Sequence, residues 1–258
     1  MRGFLFGGML GLFISFIIGK RPETKEGNRF MSHYHINALA LIGAVIVCLT
    51  YPNVVSAGLL VRDGVINTIA GVAQINSWFS LGGSIVGVYT ANSLMYRKLH
   101  IHDVIFTSLS GAIAYSCSAS INYNPGAAMA IGSGVGFMCA LMHTPFKRWI
   151  NEGGVRESNS VIVQFIIPGI FACVMSSIMQ AIDQSSFQFT FDSSASPATQ
   201  TLINRDSGRG PSDQAGWQLM GFVFSLGCAL ICSVILGIIM RIFHNDKTYS
   251  YFNDLRFI

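Results

Sequence analysis

Seven apolar blocks follow one another along this chain, and their length decides the solvent in which it folds. They lie near Gly3–Gly19, Ile36–Leu60, Ala73–Met95, Asp103–Ile121, Pro125–His143, Ser160–Ile182 and Gln214–Phe243. Blocks of about 17 to 25 such residues are what a helix needs to cross the hydrocarbon core of a bilayer. In that medium every backbone polar group must be satisfied within the protein, so spanning segments with this pattern become helices. The expected fold is therefore all-α, a polytopic transmembrane helix bundle of about seven spans, read as one membrane domain over residues 1–258. Composition agrees: 51% of residues are hydrophobic and only 11% charged, outside the range of soluble domains. The formal net charge of +4 is then no footprint of nucleic-acid binding, and no nucleic-acid partner is expected.

Seven spans place alternate loops on opposite sides of the membrane. One side collects Arg2, Arg62, Arg205 and Arg209; the other collects Lys20, Arg21, Lys25, Arg29, Arg97, Lys98, Lys147, Arg148, Arg156, Arg241, Lys247 and Arg256. This division, 4 basic residues against 12, follows the positive-inside rule and puts the C-terminus on the cytoplasmic or matrix-like side. The basic loops, Lys147 and Arg148 among them, are expected to meet anionic lipid headgroups. The first block runs into Lys20-Arg21-Pro22 without the small-residue cleavage site of a signal peptide, so it is read as a retained span. Residues 183–213 form the one long polar loop, rich in Ser, Thr and Gln. Loops of that length are functional, partner-bound or disordered. No Asn-x-Ser/Thr sequon occurs in the chain, which weighs against a glycosylated surface protein.

No Asp, Glu, Lys or Arg falls in the middle of a block; Asp103 and Asp183 stand at the ends. Intramembrane charge marks proton relays and ion-coupled carriers, so neither is expected, whereas a pore for a neutral species stays open. The polar residues Asn37, Asn76, Asn92 and Gln164 are expected to bond neighbouring helices. His33/His35 and His100/His102 form two His-x-His pairs, but residues two apart diverge on a helix and no carboxylate or cysteine cluster joins them. They read as interfacial histidines, and no metal or cofactor is expected. The six cysteines sit in apolar stretches and read as packing residues. Gly132-Ser133-Gly134 lacks the residue order and the later histidine of a membrane serine protease. Nothing resembles a phosphate loop or a nucleophile with its base, so an enzyme is not expected.

Small residues recur every fourth position in two blocks, which aligns them on one helix face. Gly3, Gly7, Gly11, Ser15 and Gly19 do so in the first, and Ala128, Gly132, Gly136 and Ala140 in the fifth. Such stripes let backbones approach where no hydrophobic effect separates helix from lipid. Packing within the protomer is the plain reading, an oligomer interface the alternative.

Several stretches carry a resemblance to a known family. Tyr51-Pro52-Asn53-Val54-Val55-Ser56-Ala57 resembles a Trp-Pro-Ser-Phe-Asn-Ser-Ala turn, and Ile75-Asn76-Ser77-Trp78-Phe79-Ser80-Leu81 a Leu-Asn-Thr-Tyr-Phe-Ser-Leu stretch. Thr144-Pro145-Phe146 is similar to a Thr-Pro-Phe helix end, and Gln214-Ala215-Gly216-Trp217-Gln218 to the start of a final long helix. Phe6-Gly7-Gly8-Met9-Leu10-Gly11-Leu12 looks like Phe-Gly-Ala-Tyr-Phe-Gly-Leu. Gly154–Ile170, ending in Pro168-Gly169-Ile170, aligns without gaps to Gly-Ile-Gln-Asp-Thr-Cys-Gly-Val-His-Asn-Leu-His-Gly-Ile-Pro-Gly-Ile. These patterns belong to the ammonium transporter and Rhesus glycoprotein family, and the order of matches resembles the latter part of its fold, from the fifth helix onward.

The resemblance implies a homotrimer whose protomers each hold a pore between two inverted five-helix halves, with paired histidines lining it. Here those histidine positions fall on Phe4 and Phe165, and a further histidine of the Rhesus pattern falls on Ile162. None of these side chains offers a nitrogen donor or acceptor. A pore between two repeats also needs both walls. The expectation is a truncated, non-conducting relative acting as a structural subunit among other membrane protein subunits, with an organellar assembly of the mitochondrial inner membrane as its host. The alternative is an ammonia or small-neutral-gas channel whose missing half is supplied by a partner chain.

Overall fold

The computed structural model describes residues 2–18, 34–60, 67–97, 100–120, 124–152, 161–182 and 211–243. Lys20, Arg21, Lys25, Arg29, His33, Gly19, the polar loop as far as residue 210 and the tail after residue 243 lie outside these. Every regular element among the described residues is helical: α1 (Arg2–Ile18), α2 (Tyr34–Leu60), α3 (Asn67–Tyr96), α4 (Ile101–Thr107), α5 (Ser110–Tyr115), α6 (Pro125–Glu152), a π-helical turn (Ile162–Ile166), α7 (Ile167–Ile182) and α8 (Pro211–Phe243). Four stretches within α2, α6, the π-turn with α7, and α8 are long and apolar enough to cross a membrane, and α1 adds a shorter apolar helix.

The centre of the bundle is the contact between α3 and α6, which touch backbone to backbone. A Cβ added to Gly83 would stand 2.2 Å from the Met129 carbonyl oxygen, and one on Gly87 2.1 Å from that of Ser133. On the facing helix, Gly132 meets the Ser80 carbonyl at 2.2 Å and Gly136 that of Ser84 at 2.5 Å. Ala128 and Ala140, from the same stripe of α6, are buried. Glycine is needed here because any side chain would force the axes apart, and close approach is what holds helices together in lipid. The stripe on α1 differs: among the described residues nothing lies within 4 Å of a Cβ on Gly3, Gly7 or Gly11. That helix packs through its other side, where Gly8 sits against Ile166 and Phe165, and Ile17 fits over Gly237 of α8.

The block at 103–121 is interrupted, with α4 and α5 separated by turns and followed by further turns to residue 120. Its side chains are nevertheless among the most buried in the protein. Such backbone survives in a membrane only if its polar groups find partners inside the protein. One face of α3 supplies them. Asn76, Ser80 and Ser84 recur every fourth residue, and Asn76 Nδ2 donates to the Ala119 carbonyl at 2.9 Å. Ser80 Oγ donates to the Gly111 carbonyl at 2.8 Å, and the Gly111 N–H donates to Ser84 Oγ at 3.1 Å. The segment is thus an internal strut between α3, α6 and α7.

Local chemistry sets the other ends. Asn124 precedes Pro125 at the start of α6, and its Oδ1 accepts the Gly126 N–H at 3.0 Å. α3 closes on Arg97, whose φ of 53° is a left-handed cap, with its N–H bonded to the Ser93 carbonyl at 3.2 Å. Ser176 Oγ donates to Gln218 Oε1 at 2.7 Å and ties α7 to α8. All six cysteines are free thiols. The apolar faces of α2 and α8 point outward, as faces against lipid do.

Candidate functional site

Two helix irregularities build the interior of the bundle where α1 crosses α7. Pro168 has no N–H to give to the carbonyls of Val163 or Gln164, so the ladder cannot continue in α register. It widens instead, and the Ile167 N–H bonds back to the Ile162 carbonyl, five residues away. The turn swings Phe165 toward α1. There Gly8 lets the α1 backbone pass close to Ile166 and Phe165, while Gly169 lets Leu5 sit 3.2 Å from where a Cβ would be.

The result is a parallel stack of Phe4 on Phe165, with ring centroids 5.7 Å apart and planes within 1°. Tyr51 of α2 adds a tilted third ring at 5.9 Å from Phe4, and its hydroxyl donates to the Ala112 carbonyl at 3.5 Å. Leu81, Leu109, Ala112 and Ile113 complete a buried cluster around them. Ile162 is not part of it. That residue packs with Leu5 and Ile166 in a separate cluster against α1 and α8. Of the three positions singled out by alignment, two meet and the third faces elsewhere. The ring stack presents apolar faces and no nitrogen, so it can fill space but cannot exchange hydrogen bonds with a small polar solute.

Beside this cluster lies a cavity of about 140 Å³ bounded by α2, α4, the α4–α5 break and the π-turn. Ala40, Ala44 and Val47 give it apolar walls, and Cys48, Ser108 and Gln164 give it polar atoms. Cys48 Sγ and Ser108 Oγ are 3.8 Å apart, within hydrogen-bond range for sulfur.

A second polar feature sits at the end of the bundle where α3, α4 and α6 meet. Nδ1 of His143 lies 2.5 Å from Oδ1 of Asp103, with both side chains almost fully buried. Phe106 stacks on His143 at 5.9 Å and on His102 at 6.3 Å, and His100 lies beyond at 6.3 Å from His102. The sequence places Asp103 at a span end and does not single out His143. The available signal was topological: loops 96–102 and 144–159 fall on one side of the membrane, which brings these two residues to the same end. Among the described residues no group of three metal-ligating side chains comes together.

A membrane bundle with a broken inner helix, a proline-induced π-turn and a cavity between them has the build of transporter and channel proteins. The chain belongs to the ammonium transporter family, whose sequence model matches residues 4–247. Ammonium transporter Rh type B of Mus musculus is 23% identical over 241 residues, covering 92% of this chain and 50% of the relative. Rhesus-like glycoprotein A of Dictyostelium discoideum is 24% identical over 264 residues, covering 98% of this chain and 46% of the relative. The fold is similar to that of Rh50 from Nitrosomonas europaea, with a TM-score of 0.65 at 17% identity, over 96% of this chain and 57% of that one. It is equally similar to a sensor Amt protein, with a TM-score of 0.65 at 14% identity. The chain spans about half the length of the curated relatives it matches. It is an integral membrane protein of a family of transporters and channels.

Proposed function

We propose that this chain is a non-conducting member of the ammonium transporter family that serves as a structural subunit of a larger membrane assembly. The supporting observation is the Phe4–Phe165 stack. Alignment puts both residues at the family's pore histidines, and together they close that position with apolar surface. Ammonia passing such a point would lose its hydrogen bonds to water and gain none. The charge asymmetry of the loops and the lack of sequons fit an organellar membrane such as the mitochondrial inner membrane, with the C-terminus on the matrix-like side. Lys147 and Arg148 then lie on the side where anionic headgroups can meet them.

The second reading is a channel for ammonia or another small neutral gas, completed by a partner chain. What favours it is the open glycine face of α1, where Gly3, Gly7 and Gly11 leave room for another helix backbone.

Purification from native membranes in mild detergent separates the two. The structural reading expects co-elution with other membrane subunits in fixed proportion, and no ammonium-dependent flux when the purified assembly is inserted in liposomes. Recovery only as a free monomer or homotrimer would overturn it. Flux that falls when bulky side chains are placed near Phe4 and Phe165 would establish the channel.

A further inference from the structure

The two places where regular helix is interrupted converge on one cavity. Ser108 and Leu109, between α4 and α5, line one wall, and Gln164 of the π-turn lines another. Irregular backbone inside a membrane protein is tolerated where it is buried in protein or faces a cavity, and paired helix interruptions around a common space mark small-solute sites in transporters. α3 serves the strut backbone from its far side through Asn76, Ser80 and Ser84, and none of these lines the cavity. Of the cavity's polar side chains, Cys48 and Ser108 contact each other at 3.8 Å, which leaves the Gln164 amide and the remaining capacity of the Ser108 hydroxyl. Gln164 makes no side-chain hydrogen bond to another described residue.

The chemistry of the lining narrows what fits. Among the described residues no Asp, Glu, Lys, Arg or His lines the space, so they give a charged ligand no counter-charge. The Gln164 amide offers a donor and an acceptor side by side, the pattern that pairs with another amide, and Ser108 adds a hydroxyl. The space is half open, and its volume of about 140 Å³ leaves room for a small solute. We propose that this cavity is a binding site for a small neutral amide-type solute of about four to six heavy atoms, oriented by Gln164 and Ser108. Leu109 belongs both to its lining and to the apolar cluster that holds Phe4 and Phe165, so the cavity abuts that cluster. Binding here does not depend on whether the chain is a structural subunit or half of a channel.

Acetamide is the probe, with benzene as the apolar comparison, measured by saturation-transfer NMR on the full chain in lipid nanodiscs. Saturable acetamide binding is expected, weakened about tenfold by Gln164→Leu, a loss in line with removal of one hydrogen-bond partner. Ala44→Phe, which fills the space from α2, should abolish binding of both probes. Ser108→Ala gives a milder second variant, expected to weaken acetamide and leave benzene unchanged. The proposal fails if acetamide shows no saturable binding, if Gln164→Leu and Ser108→Ala leave its affinity unchanged, or if only benzene binds, which would make the cavity a void for lipid chains.

Discussion

Single residues carry the stability of this bundle unevenly. Gly132 sits with its Cα hydrogen against the Ser80 carbonyl, where a Cβ would come within 2.2 Å of oxygen. Gly132→Val should therefore separate α3 from α6 and cost about 3 kcal/mol or more, read as a lower thermal midpoint in detergent. Gly7→Val, on the open face of α1, should change stability by no more than about 0.5 kcal/mol if no partner covers that face. A large effect of Gly7→Val only in the native assembly would locate the partner. The Asp103–His143 pair makes a different kind of prediction. Asp103 Oδ2 has no hydrogen-bond partner among the described residues, so this buried carboxyl group depends on His143. His143→Leu removes that support and should cost about 3–5 kcal/mol. A double-mutant cycle with Asp103→Asn should show strong coupling; additive effects would mean that the contact contributes nothing of its own.

Elements show how irregular backbone is made tolerable. The α4–α5 strut is anchored by α3 rather than by its own ladder, so its stability should respond to substitutions on another helix. Asn76→Leu leaves the Ala119 carbonyl without that donor, and about 1–3 kcal/mol of destabilisation is expected. Hydrogen exchange should rise most over residues 110–120. At the π-turn, Pro168→Ala restores an N–H and removes the reason for the wide register. Residues 162–166 should then return to α geometry and turn Phe165 off Phe4. A structure of the variant with the rings still stacked 5.7 Å apart would show that packing by α1 holds the turn open instead.

Across the whole molecule, family membership and retained activity are separate matters, because fold is carried by packing and activity by a few side chains. Glycine contacts, the serine face of α3 and the Pro168 turn keep the architecture. Phe4 and Phe165, which the motif resemblance sets at the family's histidines, hold stacked rings. Replacing both phenylalanines with histidine should leave the fold intact and, under the structural reading, produce no ammonium flux in liposomes. Flux appearing in that variant would instead mean that the rings alone block a path already complete.

The sequence by itself determined the solvent, the helical class and the family. Block length, low charge and motif order are local or one-dimensional properties, and the bilayer leaves the backbone few alternatives. It also brought out Phe4, Phe165 and the α6 stripe, because alignment and fourfold spacing are visible in the letters. What only the tertiary structure decided is which of these surfaces meet. The stripe on α6 is filled by α3, while that on α1 faces outward. Residues 103–121 read as one span, yet as far as residue 120 they fold as two short helices and turns, since hydropathy averages over a segment and cannot register backbone bonds supplied by Asn76 and Ser80. The Asp103–His143 pair, 40 residues apart in sequence, and the cavity between Cys48, Ser108 and Gln164 exist only through contacts among distant helices. No periodicity encodes such contacts, because they depend on how helix axes cross rather than on what each helix contains.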